Sequence, residues 1–128
     1  MASTITILTI SSDALLQATR TILLTRAGYS VIELSTYASL LKFVEAASYS
    51  RVDLVLMCHS VEEFDRLRFC TVLRQRYPTT PILMLYTIYE SIPPEVNCSL
   101  QSLVSPQELL GKVEALLQPS SKPAQHRG

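Results

Sequence analysis

Short apolar runs rich in β-branched residues alternate along this chain with stretches of helical spacing, and that alternation constrains the fold more than any other feature. Thr4–Ile10 (TITILTI), Ser30–Leu34 (SVIEL), Val52–Cys58 (VDLVLMC) and Ile82–Thr87 (ILMLYT) are the strand candidates, and Ser99–Ser102 (SLQS) supplies a short fifth. A strand that is apolar at nearly every position, as in the first, third and fourth runs, must be covered on both faces. Val52–Cys58 is the most continuous of them and belongs at the centre of a sheet. Strands separated by helices pair in parallel through right-handed crossovers. The expected fold is therefore α/β: a single doubly wound, five-stranded parallel sheet with helices on both faces. In such sheets ligands meet the carboxyl ends of the strands, so function is to be sought there.

Capping residues mark the helix boundaries. Ser11, Ser12 and Asp13 open a first helix, ALLQATRTILLTRA, in which Leu15, Ala18, Ile22, Leu23 and Ala27 fall roughly on one face; Gly28 closes it. Ser35 or Thr36 caps a second helix to about Ala47, with Leu40, Leu41, Phe43 and Val44 as its apolar stripe. Ser60-x-x-Glu63 is a capping box for a third helix that runs to about Arg76 on Phe64, Leu67, Cys70, Val72 and Leu73, and Pro78 stops it. Pro93-Pro94 interrupts the pattern between the fourth and fifth strands, so the helix there, the fourth, is expected to be shortened. Ser105-Pro106-Gln107-Glu108 opens a last helix to Leu117. Residues 1–118 read as one domain, and 119–128, with two prolines and no apolar anchor, as a disordered tail or linker stump.

The chain's 128 residues, 48% of them hydrophobic, suffice for one sizeable core. Eleven basic and eleven acidic side chains cancel, which removes the field that would gather nucleic acid or anionic lipid. No run approaches the ~18 apolar residues of a membrane span, and no basic segment precedes the first apolar run as an export leader would require. Cys58, Cys70 and Cys98 are odd in number and far apart, which fits neither a zinc site nor a disulfide framework. A cytoplasmic protein without nucleic-acid or membrane partners is expected.

The succession ITILTISSD, RAGYSVIEL, VDLVLMC, PILMLYT and SPQELLGKVEALL resembles, in order and spacing, the receiver domain of response regulators, the CheY-like form of the flavodoxin-like fold, over nearly the whole chain to Leu117. AGY before the second strand, DLVL in the third, proline opening the fourth and SPQEL opening the last helix fall where receivers have similar residues. The resemblance implies where the family's phosphorylation pocket would stand. The acidic pair that binds magnesium corresponds to Ser11 and Ser12, with Asp13 beside them, and the phosphate-accepting aspartate corresponds to Cys58. The small hydroxyl residue after the fourth strand corresponds to Tyr86, followed by Thr87; the lysine after the fifth corresponds to Ser102, followed by Leu103 where receivers have proline. Phosphoryl transfer to a carboxylate needs an acceptor, a divalent ion and a fixed cation, and hydroxyls or thiols at these positions supply none of them. Ser11, Ser12, Asp13, Cys58, Tyr86, Thr87 and Ser102 thus read as a degenerate pocket, with no catalytic residue, metal or cofactor and no cation to hold an anion.

Several of these residues admit a second reading. Cys58-His59 sets a thiol beside an imidazole, as a nucleophile and base would require. Neighbours on a strand point to opposite faces, however, and a packed thiol is the simpler account. Ser11-Ser12-Asp13 at a helix N-terminus can hold an anion, but Asp13 opposes one and capping explains the trio. Tyr86 either fills the vacated pocket and locks one conformation or packs at a strand end with its hydroxyl in solvent. Arg66, Arg68, Arg74 and Arg76, following Glu62, Glu63 and Asp65, make either a docking face or, more simply, a solvated helix side.

The function expected is that of a phosphorylation-independent pseudo-receiver: a non-enzymatic module for protein–protein interaction whose partner is a histidine kinase, another regulator or an output domain. The alternative is a thiol-based enzyme or small-ligand-binding protein on the same scaffold using Cys58. Against it stand the absence of a glycine-rich loop after the first strand and the scarcity of histidine, His59 and His126 being the only two. A third possibility is one domain of a longer regulator, with the tail as its linker.

Overall fold

The computed structural model describes residues 4–46, 51–58, 63–86, 98–101 and 105–117, with backbone alone at 63–64, 86 and 98–101. These residues form five strands, β1 (Thr6–Ile10), β2 (Ser30–Leu34), β3 (Leu54–Met57), β4 (Ile82–Tyr86) and β5 (Cys98–Gln101), and four helices, α1 (Ala14–Arg26), α2 (Tyr37–Ala46), α3 (Glu63–Arg76) and α4 (Pro106–Leu117). All strand pairs are parallel and the order across the sheet is β2-β1-β3-β4-β5. The α/β sheet expected from the alternation of runs is the one observed, with β3 at its centre. The proposed shortening of a helix around Pro93-Pro94, and the tail at 119–128, lie outside the described residues.

Alternate residues of the inner strands feed two cores, as the two-residue period of a strand requires. Leu8, Ile10, Val55, Met57 and Ile82 pack with Leu40 of α2 and Phe69, Cys70 and Leu73 of α3. Ile7, Leu54, Leu56, Leu83 and Leu85 pack with Leu24 of α1 and Leu109 and Val113 of α4. β3 is shorter than its apolar run, its ladder with β1 spanning only Ile7↔Leu54 to Ile10↔Met57, while β1 extends back to Thr6 through its pairing with β2. Beyond the ladder's lower end the Asp53 carboxylate accepts from the Thr6 N–H at 2.8 Å. β5 begins one residue earlier than the sequence suggests, Leu83 standing opposite Cys98.

Caps lie where hydroxyl and carboxylate residues placed them. The Asp13 carboxylate accepts from Leu16 N–H at 3.0 Å, and Gly28 leaves α1 with φ 101°, a value that favours glycine. Thr36 and Ser39 cap each other reciprocally. Ser105 and Glu108 form the expected capping box before α4. Ser60 lies outside the described residues. No helix among the described residues is long and apolar enough to cross a membrane.

Two helices are turned differently from expectation. On α1 most of the stripe assigned to the core faces outward: Leu15 is 78% and Ile22 56% exposed, and Ala18 and Ala27 are exposed too, while Leu23 alone of the five packs against the core. Gln17 and Arg20 are buried in their place, 6% and 8% exposed, alongside Leu24. The polar pair goes inward because buried carbonyls and a sulfur at the strand ends need donors. On α3, Leu67 is exposed and Arg66 is buried at 3%, so the arginines do not form a solvated side. The Arg68 guanidinium lies 3.8 Å from the Tyr37 ring centroid. Arg74 donates to the carbonyls of Tyr77, Pro78 and Thr80 at 2.9–3.2 Å, closing the C-terminus of α3.

Candidate functional site

The carboxyl ends of β1 and β3 lie side by side, joined by Cys58 N–H donating to the Ile10 carbonyl at 2.9 Å. Ser11 leaves β1 with its N–H on the Leu34 carbonyl at 3.1 Å, which ties the ends of β1 and β2 together. Its hydroxyl accepts from Asp13 N–H at 3.1 Å and donates to Asp13 C=O at 3.2 Å, a tight turn that delivers Asp13 to the N-cap of α1. Ser11 is buried, whereas Ser12 and Asp13 are exposed at the rim.

Two turns into α1, Arg20 projects back under this rim. Its Nη1 lies 3.0 Å from Cys58 Sγ, both groups being buried. One turn earlier, Gln17 Nε2 donates to the carbonyls of Thr9 (3.2 Å) and Leu34 (3.0 Å) and to the Thr9 hydroxyl (3.1 Å). α1 is thus pinned over the strand ends by an amide and a guanidinium. The absence of a cation, expected from the residues at the strand ends, is corrected here: the cation arrives from the helix.

Opposing influences act on the Cys58 thiol. Burial pushes its pKa up; the charge and hydrogen bonding of Arg20 and a hydrogen bond from Ser11 pull it down, and the Asp13 carboxylate raises it again. Burial prevails, and the thiol titrates above its ordinary range. A protonated sulfur closed to solvent is a poor nucleophile. His59, the proposed base, lies outside the described residues.

A divalent ion, which the receiver resemblance implies, does not suit these groups. Oxygen-rich, charged ligands are needed, yet the carboxylate at hand, Asp13, is engaged as a helix cap, and a guanidinium already stands against the sulfur at the end of β3. Among the described residues no group of three or more His, Cys, Asp or Glu side chains could hold a metal.

The structure therefore brings Ser11, Asp13 and Cys58 together, with Ser12 at the rim, and adds Gln17 and Arg20. At Tyr86 it places the backbone alone, the last residue of β4, opposite Gln101; Thr87 and Ser102 lie outside the described residues. A signal for the two added residues was present: Gln17, Arg20 and Leu24 share a face at helical spacing, opposite Leu15 and Ile22. A separate recess of about 460 Å³, lined by residues including Arg51, Asp53, Tyr77 and Thr80, opens at the opposite edge of the sheet, away from this chemistry.

No family profile and no curated protein sequence matches the chain. Solved structures do. The chemotaxis response regulator CheY4 of Vibrio cholerae superposes with a TM-score of 0.72 at 21% identity, over 90% of this chain and 100% of its own. The receiver domain of the hybrid histidine kinase CckA gives 0.73 at 19% identity, over 88% and 99%. The N-terminal domain of a response regulator/sensory box/GGDEF three-domain protein from Carboxydothermus hydrogenoformans gives 0.74 at 20%, over 88% and 93%. In element order, strand order and course, the chain has the fold of the CheY-like response-regulator receiver domains.

Proposed function

We propose that this chain is a phosphorylation-independent pseudo-receiver, a cytoplasmic protein–protein interaction module of signal transduction without enzymatic activity. The reading rests on the guanidinium of Arg20 seated 3.0 Å from Cys58 Sγ. In a receiver that takes phosphate, the end of the third strand presents a carboxylate and a bound cation; here a neutral thiol and a covalently tethered cation occupy the corresponding ground. Asp13, the carboxylate beside them, is spent on capping α1. Information then passes through surface shape rather than through a change of charge. The partner belongs to the signalling proteins: a histidine kinase, another regulator or an output domain. The domains similar to this chain in fold, one from a hybrid histidine kinase and one from a three-domain GGDEF protein, support that class of partner. The buried, protonated thiol weighs against the thiol-enzyme alternative.

The test is incubation with acetyl phosphate and magnesium followed by intact mass measurement. No phosphoryl adduct is expected under conditions that label an active receiver run in parallel. A stoichiometric, hydroxylamine-labile phosphoryl group on an aspartate overturns the proposal.

A further inference from the structure

The recess of about 460 Å³ opens beside the amino ends of β3 and β4, its walls being the turn that leads into β3 and the connection from α3 to β4. Hydrogen bonds fix both walls. The Thr80 hydroxyl donates to the Val52 carbonyl at 2.9 Å and Val55 N–H to the Pro81 carbonyl at 3.0 Å, which ties one wall to the other. Arg74 gathers the carbonyls of Tyr77, Pro78 and Thr80 and so sets the shape of the second. The volume falls in the range of small-ligand sites, about 300–1,000 Å³.

Two guanidiniums and one carboxylate line this space, with one cation on each wall: Arg51, Arg76 and Asp53. The carboxylate is engaged through both oxygens. Its Oδ1 accepts from Arg51 Nε at 2.6 Å and its Oδ2 from Thr6 N–H at 2.8 Å. That pairing leaves the terminal nitrogens of the exposed Arg51 as further donors. Arg76 lies with its guanidinium carbon 5.0 Å from the Tyr77 ring centroid, which holds it to its wall. Tyr77 is buried, and its hydroxyl has no hydrogen-bond partner among the described residues, an orphan that burial makes costly. Thr79 adds an exposed hydroxyl. Surplus positive charge and donors on two walls call for an anion rich in acceptors.

We propose that the recess binds a small phosphate monoester, its phosphate held by Arg51 and Arg76. A planar carboxylate meets a single guanidinium edge, as Asp53 meets that of Arg51. A tetrahedral phosphate turns its terminal oxygens in several directions and accepts from cations on two walls at once. The volume exceeds what a phosphate group fills, which leaves room for the organic body. The site stands apart from the strand ends that carry Cys58, so its occupancy does not depend on whether those ends take a phosphoryl group.

Amide NMR titration of the full chain with inorganic phosphate, and separately with glycerol phosphate, tests this at an ionic strength held constant with chloride. Saturable shifts are expected at Val52, Tyr77, Thr79 and Thr80, with half-saturation at about 10 mM or below, while Ser11 and Cys58 stay unmoved. Arg51→Gln, at an exposed position, and Arg76→Gln are each expected to weaken binding by about fivefold or more, with the amide spectrum elsewhere unchanged. The absence of saturable shifts with either titrant overturns the proposal, and so does binding indifferent to both arginine variants. An equal response to acetate overturns the choice of phosphate, and binding of inorganic phosphate without glycerol phosphate overturns the monoester. Shifts centred on Ser11 and Cys58 instead overturn the location.

Discussion

At the end of β3 a thiol and a guanidinium share a space closed to solvent, and their balance sets how the protein responds to alkali. The folded Cys58 thiol keeps its proton to a higher pH than the same thiol in the unfolded chain. Below about pH 8.5, the range of a free thiol, both states are protonated and the full contribution to stability is present. As pH rises the unfolded chain ionises first, and stability falls until the folded thiol ionises as well. Tyr29 and Tyr77, whose hydroxyls are also raised chiefly by burial, act in the same direction at still higher pH. Urea unfolding across this range is therefore expected to show stability declining with pH, with a shallower decline for Cys58→Ser. Serine does not titrate there and still offers Arg20 an acceptor. Cys58 was legible in the sequence as a strand-end thiol. Its guanidinium neighbour was not, because a partner from a helix 38 residues away leaves no mark on local spacing.

Among the elements, α1 separates what local pattern conveys from what tertiary demand decides. Its limits were readable: an aspartate to cap it, a glycine with positive φ to end it. Which side turns inward was not, because two opposite faces both carry leucines at helical spacing. The acceptors gathered at the strand ends, the Thr9 carbonyl and hydroxyl and the Leu34 carbonyl, favoured the face with Gln17, a requirement invisible until the strands are in place. Replacing Gln17 with Leu is expected to cost about 1–3 kcal/mol by removing the three hydrogen bonds its amide makes to the strand ends. Leu15→Gln is expected to change stability by no more than about ±0.5 kcal/mol. Reading the same helix by hydrophobicity alone gives the reverse ranking, and denaturant titration of the two variants distinguishes them. α3 follows the same logic, since buried Arg66 and exposed Leu67 also invert the simple pattern.

For the molecule as a whole, the parallel sheet was legible because its inner strands are apolar on both faces, a pattern few other architectures tolerate. The pairing order places β1 and β3 between covered neighbours, with β2 and β5 at the edges. Amide hydrogens of Leu8 and Val55 are accordingly expected to exchange only through global unfolding, and those of edge β2 through smaller openings, as native-state exchange would reveal. The candidate site was legible by position, since Ser11 and Cys58 do meet at the strand ends, but not by composition. A cylinder greasy on opposite sides can rest either way up, and solvent aversion is nearly indifferent to the choice. An amide and a guanidinium join Leu24 in breaking the tie, so the directional bonds of Gln17 and Arg20 act as a compass for the helix and keep its leucine and isoleucine on display.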